Sequence, residues 1–294
     1  MSGNAGSWLT ARRRAARLQH RLAEDTDLLS LPAGPPGCPG LSGTAPVTVA
    51  DLAGLPAAAR TYLRFMGVFG RPADWSFVAH CTGRFRLRPG WPWLPCATWQ
   101  YNSALEVARL FHLRIGAPPM TARDAYVKGQ GSMAGRLLGV VQVAGGPGPE
   151  YDVSELVTYL DDLVFCAPSM LLRLPVTWHE AGDRCFDLTI RDHGHAVRAR
   201  VFTDDRGAPV DFSTEDRWCD LPGGLARVRW TTPAHGCRQR GGRWLPTRST
   251  AIWHLPGGDF SYAEFCLRPG DLRYNVAPGW LLVPAAMDEV AAAG

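Results

Sequence analysis

Long hydrophobic runs are missing from this 294-residue chain. The longest, Gly279 to Met287, falls well short of the ~18–20 apolar residues that carry a helix across a bilayer, so no membrane-spanning helix is expected. Lysine is nearly missing too: Lys128 is the only one among 31 basic residues. With 27 acidic residues the net charge is only +4, and the arginines are scattered. A nucleic-acid binder gathers its cations on one face, with a pI above ~9, so no nucleic-acid partner is expected. The eight cysteines are widely spaced and contain no Cys-x-x-Cys. That spacing excludes the dense disulfide framework of short secreted domains and reads as small buried hydrophobes in a reducing compartment. Nor is there the low hydrophobicity of a disordered chain, since 46% of residues are hydrophobic and 20% charged.

Motifs of common chemistry are incomplete. There is no G-x-S-x-G nucleophile elbow. His179-Glu180 begins an H-E-x-x-H, but Asp183 stands where the second imidazole belongs. His193-x-His195 and His235-x-Cys237 each lack the third ligand a zinc site usually shows. No metal and no cofactor are expected. Gly129-Gln130-Gly131-Ser132-Met133-Ala134 fits G-x-G-x-x-A, yet no helix follows at the distance a βαβ nucleotide site requires, so the glycines are read as a bend.

What is present is a change of period. Residues 7–29 read as an amphipathic helix, with Trp8, Ala15, Leu18, Leu22 and Leu29 on one side and Arg13, Arg14, Arg17 and Arg21 opposite. Its cations come early and Glu24, Asp25 and Asp27 late, against the helix dipole, so it is expected to depend on packing or on a partner. Residues 32–46 read as a Pro/Gly-rich linker. A second helix is expected after Thr48 and Asp51, with Pro56 in a first turn and Gly67 as its C-terminal cap. From Trp75 the period becomes 2, as in a half-buried strand. Val107 to Ile115 is largely apolar but is broken by Arg109, His112 and Arg114, and a further strand is expected around Tyr126. A helix over 153–165 follows, with Asp152 and Glu155 spaced as its capping box. After residue 185, short alternating segments separated by glycine-rich turns read as a meander without intervening helices.

The expected fold is therefore α+β and mostly antiparallel β, a curved sheet or half-barrel plugged by one or two helices. Residues 1–31 would be the N-terminal helix, 32–46 the linker, 47–281 a single β-rich domain and 282–294 a C-terminal tail. Trp91 and Trp93 lie among the prolines of Pro89 to Pro95, a composition that suits a lid over an apolar cavity. Such a cavity would hold an apolar or amphipathic small molecule such as a lipid, with Trp93, Trp99, Phe111, Tyr126 and Trp253 as lining candidates. An alternative is an enzyme using Glu155, His254 or Asp259. Another is an interaction protein making a weak membrane-surface or protein contact through residues 7–29.

Several stretches resemble an uncharacterised bacterial family common in actinomycetes. They are Tyr62-Leu63-Arg64-Phe65-Met66-Gly67-Val68, Arg84-Phe85-Arg86-Leu87-Arg88-Pro89-Gly90, Arg123-Asp124-Ala125-Tyr126-Val127, residues 149–156 (PEYDVSEL) and residues 253–260 (WHLPGGDF). The resemblance covers roughly residues 48–276. It implies a shape similar to lipoprotein carriers of the LolA/LolB type, in which a curved antiparallel sheet and its helices surround a hydrophobic cavity. It implies no catalytic residues. Family members often carry an N-terminal membrane segment, and the carriers carry export signals. After Arg12 to Arg14 no apolar stretch of ~7–15 residues follows, so the expected location is the cytoplasm.

Overall fold

A computed structural model describes residues 20–23, 25–35, 45–116, 119–138, 141–221 and 223–278. Three short helices come first: α1 (Thr26–Ser30), α2 (Val49–Leu52) and α3 (Ala57–Phe65). Six strands follow: β1 (Ser76–Phe85), β2 (Leu94–Ser103), β3 (Ala108–Ile115), β4 (Met120–Val127), β5 (Gln130–Leu137) and β6 (Val141–Ala144). The long helix α4 (Pro149–Cys166) and a 3-10 segment (Pro168–Arg173) lead into β7 (Val176–Gly182), β8 (Cys185–Asp192), β9 (His195–Thr203) and β10 (Pro209–Thr214). The short strands β11 (Trp218–Leu221), β12 (Gly224–Arg227), β13 (Trp230–Thr231), β14 (Ala234–His235), β15 (Arg238–Arg240) and β16 (Arg243–Leu245) come next. Two long strands, β17 (Arg248–Leu255) and β18 (Gly258–Tyr274), complete the order.

Fourteen strands form one antiparallel sheet in the order β6-β5-β4-β3-β2-β1-β18-β17-β13-β10-β9-β8-β7, with β14 added to β17. The N-terminal and C-terminal meanders join where β1 pairs with β18, for example Thr82 with Cys266. This corrects the expected curved half-barrel. The fold is α+β and antiparallel, but the sheet is open, with β6 and β7 as its edges. Where its two arms meet they do so through hairpin tips and side chains, not through a strand ladder. Tyr126 Oη donates to Asp192 Oδ2 at 2.8 Å, and His195 Nε2 lies 3.0 Å from the Gly129 carbonyl oxygen. A period of two establishes strands, but whether the last strand finds the first is set by register and twist, which alternation does not encode.

Helix α4 packs on the sheet through Leu156, Tyr159, Leu160 and Leu163, all fully buried. Burying each such leucine contributes about 1.5–3 kcal/mol. The helix begins at Pro149, four residues before the expected start, because proline fits the first helical position and Gly148 takes φ 141° ahead of it. Asp152 and Glu155 therefore lie inside the helix and are free for other partners. The tyrosines of this core satisfy their hydroxyls on backbone, Tyr62 on Val164 O and Tyr159 on Ser103 O, both at 2.7 Å.

The glycines at 129 and 131 have structural explanations. Lys128 and Gly129 take φ of 53° and 78° in the two-residue turn between β4 and β5. At Gly131 a Cβ would sit 2.2 Å from the Tyr151 carbonyl oxygen, so β5 passes too close to α4 for any side chain. The strand–turn–strand context is not that of a dinucleotide site.

The N-terminal segment differs from the single helix expected over 7–29. Residues 7–19 and 24 lie outside the described residues, as do 36–44 of the linker and the tail 282–294. Residues 20–23 are helical, and a separate helix α1 then starts at the N-cap Asp25, whose Oδ1 accepts from Asp27 N. Asp25 and Asp27 thus stand at the start of a new helix, where the dipole favours them. The break also turns Leu29 outward, 51% exposed, while Leu22 and Leu28 are fully buried against Val78, Tyr101 and Leu110 on the sheet face opposite α4.

Asp25 fixes this docking. Its carboxylate takes two bonds from Arg123, at 2.6 and 2.9 Å, and faces His112 Nε2 at 2.9 Å. Burial pushes its pKa upward, but the bonds from Arg123 and His112 outweigh it and hold the group well below the usual carboxylate range. A depressed acid contributes stability above its unfolded value of 3.8 and loses it as pH falls through the folded value. Replacing Asp25 by Asn is expected to cost about 2–3 kcal/mol, since one partner of a largely buried charged cluster is lost. Hydrogen exchange at residues 20–31 should accelerate while that of α4 stays protected. Unchanged exchange at 20–31 would show that the apolar contacts alone hold the segment.

Candidate functional site

The alternation of β1 to β4, β17 and β18 turns one set of side chains toward α4. Several are small: Cys81, Thr98, Ala122 and Ala251. Across from them the helix presents Thr158, Asp161, Asp162, Phe165 and Cys166. Small residues facing a helix that cannot approach further leave a hollow, and a cavity of about 210 Å³ lies here. Its lining is predominantly apolar, with Phe85, Phe111, Leu113, Met133, Phe265 and Leu267 supplying much of it. A dry apolar cavity of about 150 Å³ accommodates benzene, so this one has room for a somewhat larger group.

Thr98, Gln100, Thr247, Arg248 and Ser249 also line the cavity, and the buried charged groups form one cluster. Arg109, the second residue of β3, donates to Asp162 Oδ2 at 2.7 Å through Nε and to Glu155 Oε2 at 3.0 Å through Nη1. Thr158 Oγ1 donates to the same Glu155 oxygen at 2.9 Å. One helical turn on, Asp161 Oδ1 accepts from Thr232 Oγ1 at 2.5 Å. Burial, reinforced by the neighbouring Asp162 charge, pushes Asp161 up to about 8. Asp124 on β4 is pushed up to about 7 by burial and by Glu155, and its Oδ1 is buried without a hydrogen-bond partner.

Arg217, just before β11, closes the cluster. Its Nη1 donates to Tyr262 Oη at 2.8 Å, and Trp230 Nε1 donates to the same oxygen at 3.2 Å. The guanidinium carbon sits 4.1 Å from the Trp230 ring centre and 5.1 Å from that of Trp253, a cation–π box. Its Nε is buried and unpartnered. Among the described residues no carboxylate lies within ion-pair distance of Arg217.

The structure distributes the residues expected from sequence as follows. Phe111 lines the cavity. Trp253 stacks on Tyr262 at 6.1 Å and backs the Arg217 box without lining the hollow. Tyr126 is fully buried and serves the contact with Asp192. Trp99 packs on the His80 ring. Trp93 lies beneath the guanidiniums of Arg84 and Arg86, at 4.8 and 4.6 Å, and Trp91 is 51% exposed. Neither belongs to the cavity wall.

Glu155 is the counter-ion of Arg109, apart from the other two candidate acid–base groups. Asp259 and His254 meet across the β17–β18 hairpin, Nδ1 to Oδ1 at 2.7 Å, and His254 Nε2 lies 2.9 Å from Thr231 Oγ1. The connectivity is that of a nucleophile, base and acid, but the exposure is reversed. Thr231 is 3% exposed while the Asp259 side chain is 64% exposed, so the hydroxyl that would attack is the buried member. Among the described residues no group of three or more candidate metal ligands occurs, and no helix is long and apolar enough to cross a membrane.

Sequence reasoning missed Asp124, Asp161, Asp162, Arg217 and Tyr262. One signal pointed to them: Arg109 interrupts an apolar strand, and a buried arginine requires carboxylates facing it.

A family model described as a family of unknown function, DUF6544, matches residues 45–265. No curated protein matches the chain. Among solved structures the chain is similar to a LolA superfamily protein from Nitrosomonas europaea, at 11% identity over 79% of this chain and 98% of that one, with a TM-score of 0.43. It is similar to a DUF1329 family protein from Desulfovibrio piger, at 11% identity over 75% and 92%, with a TM-score of 0.42. It is also similar to a domain from Vibrio parahaemolyticus described as an outer membrane lipoprotein-sorting protein, at 11% identity over 68% and 85%, with a TM-score of 0.40. At such identity the likeness is one of fold alone. The expected cytoplasmic location is corrected: it finds no support among these proteins, one of which is described as an outer membrane lipoprotein-sorting protein domain. That expectation rested on the cysteine spacing and on the residues after Arg14, and the point at which a sequence begins does not decide whether a leader precedes it.

Proposed function

The chain belongs to the DUF6544 family, and from that premise we propose that it binds an apolar or amphipathic small molecule between α4 and the sheet. The observation that carries this reading is the cavity itself, about 210 Å³ and mostly apolar. A hollow of this kind costs stability, because its lining forgoes dispersion contacts. A ligand regains them, together with about 0.8 kcal/mol for every methylene removed from water. The polar cluster at one end of an apolar space is the arrangement of a ligand site, in which hydrocarbon supplies affinity and a few polar groups fix orientation.

Filling the hollow tests the proposal. Ala122→Leu and Ala251→Leu place a larger side chain where the ligand would lie. Each variant is expected to weaken binding of a single-chain amphiphile, read by displacement of an environment-sensitive fluorophore, by tenfold or more while the fold is retained. Equal binding by wild type and both variants would place any ligand elsewhere.

A further inference from the structure

We propose that the cavity selects a ligand with a carboxylate head on a short hydrocarbon tail, and that Arg217 receives the head. The proposal rests on the reading of the cavity as a ligand site and adds the chemistry of the ligand. It starts from the distribution of charge. Arg109 is already shared between two carboxylates, Glu155 and Asp162. Asp161 already accepts from Thr232. Arg217 differs: it holds a phenol and two indole faces, has no carboxylate in ion-pair reach among the described residues, and keeps a buried Nε unpartnered.

Burial opposes the Arg217 charge; Tyr262 and the more distant Glu155 offset that cost but leave Nε unbonded, and an arriving anion would fill it. The guanidinium fork matches the geometry of a planar carboxylate. The second orphan in the same cavity, Asp124 Oδ1, fits the same ligand. Burial and the Glu155 charge keep the Asp124 carboxyl protonated up to about neutral pH, and a neutral carboxyl donates to a carboxylate oxygen. The same cavity is also lined by Phe111, Leu113, Phe265 and Leu267, which suit a tail. Volume limits that tail. A space of about 210 Å³ exceeds one filled by benzene but lies below the ~300 Å³ at which drug-sized pockets begin.

The test compares three probes of one tail length, octanoic acid, 1-octanol and octylamine, by isothermal titration at pH 6.5 with the full chain. Octanoic acid is expected to bind at least tenfold more tightly than octanol, and octylamine most weakly. Arg217→Met should erase the preference for the acid while leaving octanol affinity within about twofold. The wild-type comparison decides the matter even where that variant fails to fold. Equal binding of acid and alcohol, or tightest binding of the amine, would overturn the carboxylate assignment and leave the cavity as a ligand site. Binding of none of the three would instead overturn the proposed function.

Discussion

Replacing Arg109 by methionine is expected to destabilise the protein by about 3–5 kcal/mol, the range for removing one partner of a buried ion pair. The arginine side chain is 6% exposed and its partners Glu155 and Asp162 are 3% and 16% exposed, so water cannot take over the lost bonds. Methionine retains much of the stem but strands Glu155 and Asp162 beside Asp124 and Asp161. The structure predicts more than loss of stability. Adding Glu155→Gln and Asp162→Asn to Arg109→Met removes the stranded charges, and the triple variant should recover a substantial part of the deficit. Urea denaturation followed by far-UV circular dichroism gives both numbers. A loss below about 1 kcal/mol for the single variant, as at a solvated surface pair, would contradict the arrangement of this cluster.

The second large effect is on pH. Asp161 is pushed up to about 8 from 3.8, so between those values the folded chain holds a proton that the unfolded chain has released. Stability therefore falls as pH rises through this window, by at most about 1.4 kcal/mol per pH unit for this group, and the slope vanishes above it. Asp124, pushed up to about 7, acts in the same direction. Burial lowers His80 despite the opposing pull of Asp271, so His80 acts in the opposite direction, below its ordinary 6.5. Measurements between pH 6.5 and 8 consequently isolate the carboxyls. Asp161→Asn should flatten the profile there and raise stability at pH 8 relative to wild type. A wild-type profile that rises toward pH 8, or an unaltered slope in the variant, would show that Asp161 ionises as freely as a solvated acid.

The sequence was legible where one physical requirement dominated. Alternation placed β1, β8 and β9, because one face of each is buried and a period of two is then unavoidable. The buried stripe of α4 was legible through Leu156, Tyr159, Leu160 and Leu163. Its first turn was not, because Asp152 and Glu155 mimic a capping box while their carboxylates are used by Gly131 N and Arg109. In sequence alone the adjacent acids Asp161-Asp162 do not differ from a solvated helix face. In the fold both acids lie at the cavity, each with a partner more than fifty residues away in sequence, and no local pattern carries that information.

β3 shows the same limit from the other side. Arg109 and His112 both interrupt an apolar run, and both are buried on opposite faces of one strand. Arg109 meets the acids of α4, whereas His112 meets Asp25 of the N-terminal segment. A spacing of three puts them on opposite faces of a strand, but nothing in the spacing says which acids wait on each. Openness of the sheet was equally hidden, because the hairpin tips at Gly129 and His193 touch without pairing. Arg217 carried no signal at all, since one of three arginines among the acids and tryptophans of 215–230 is unremarkable until the fold brings Tyr262, Trp230 and Trp253 around it.

The central claim is that the hollow between α4 and the sheet receives a ligand, and methyl NMR tests it most directly. With leucine and methionine methyls labelled, stepwise addition of octanoic acid is expected to shift the resonances of Leu113, Met133 and Leu267 at the cavity wall. The methyls of Leu63 and Leu188, which pack elsewhere in the core, should stay in place. Wall methyls that do not move at saturating ligand, or shifts confined to the surface, would contradict the account.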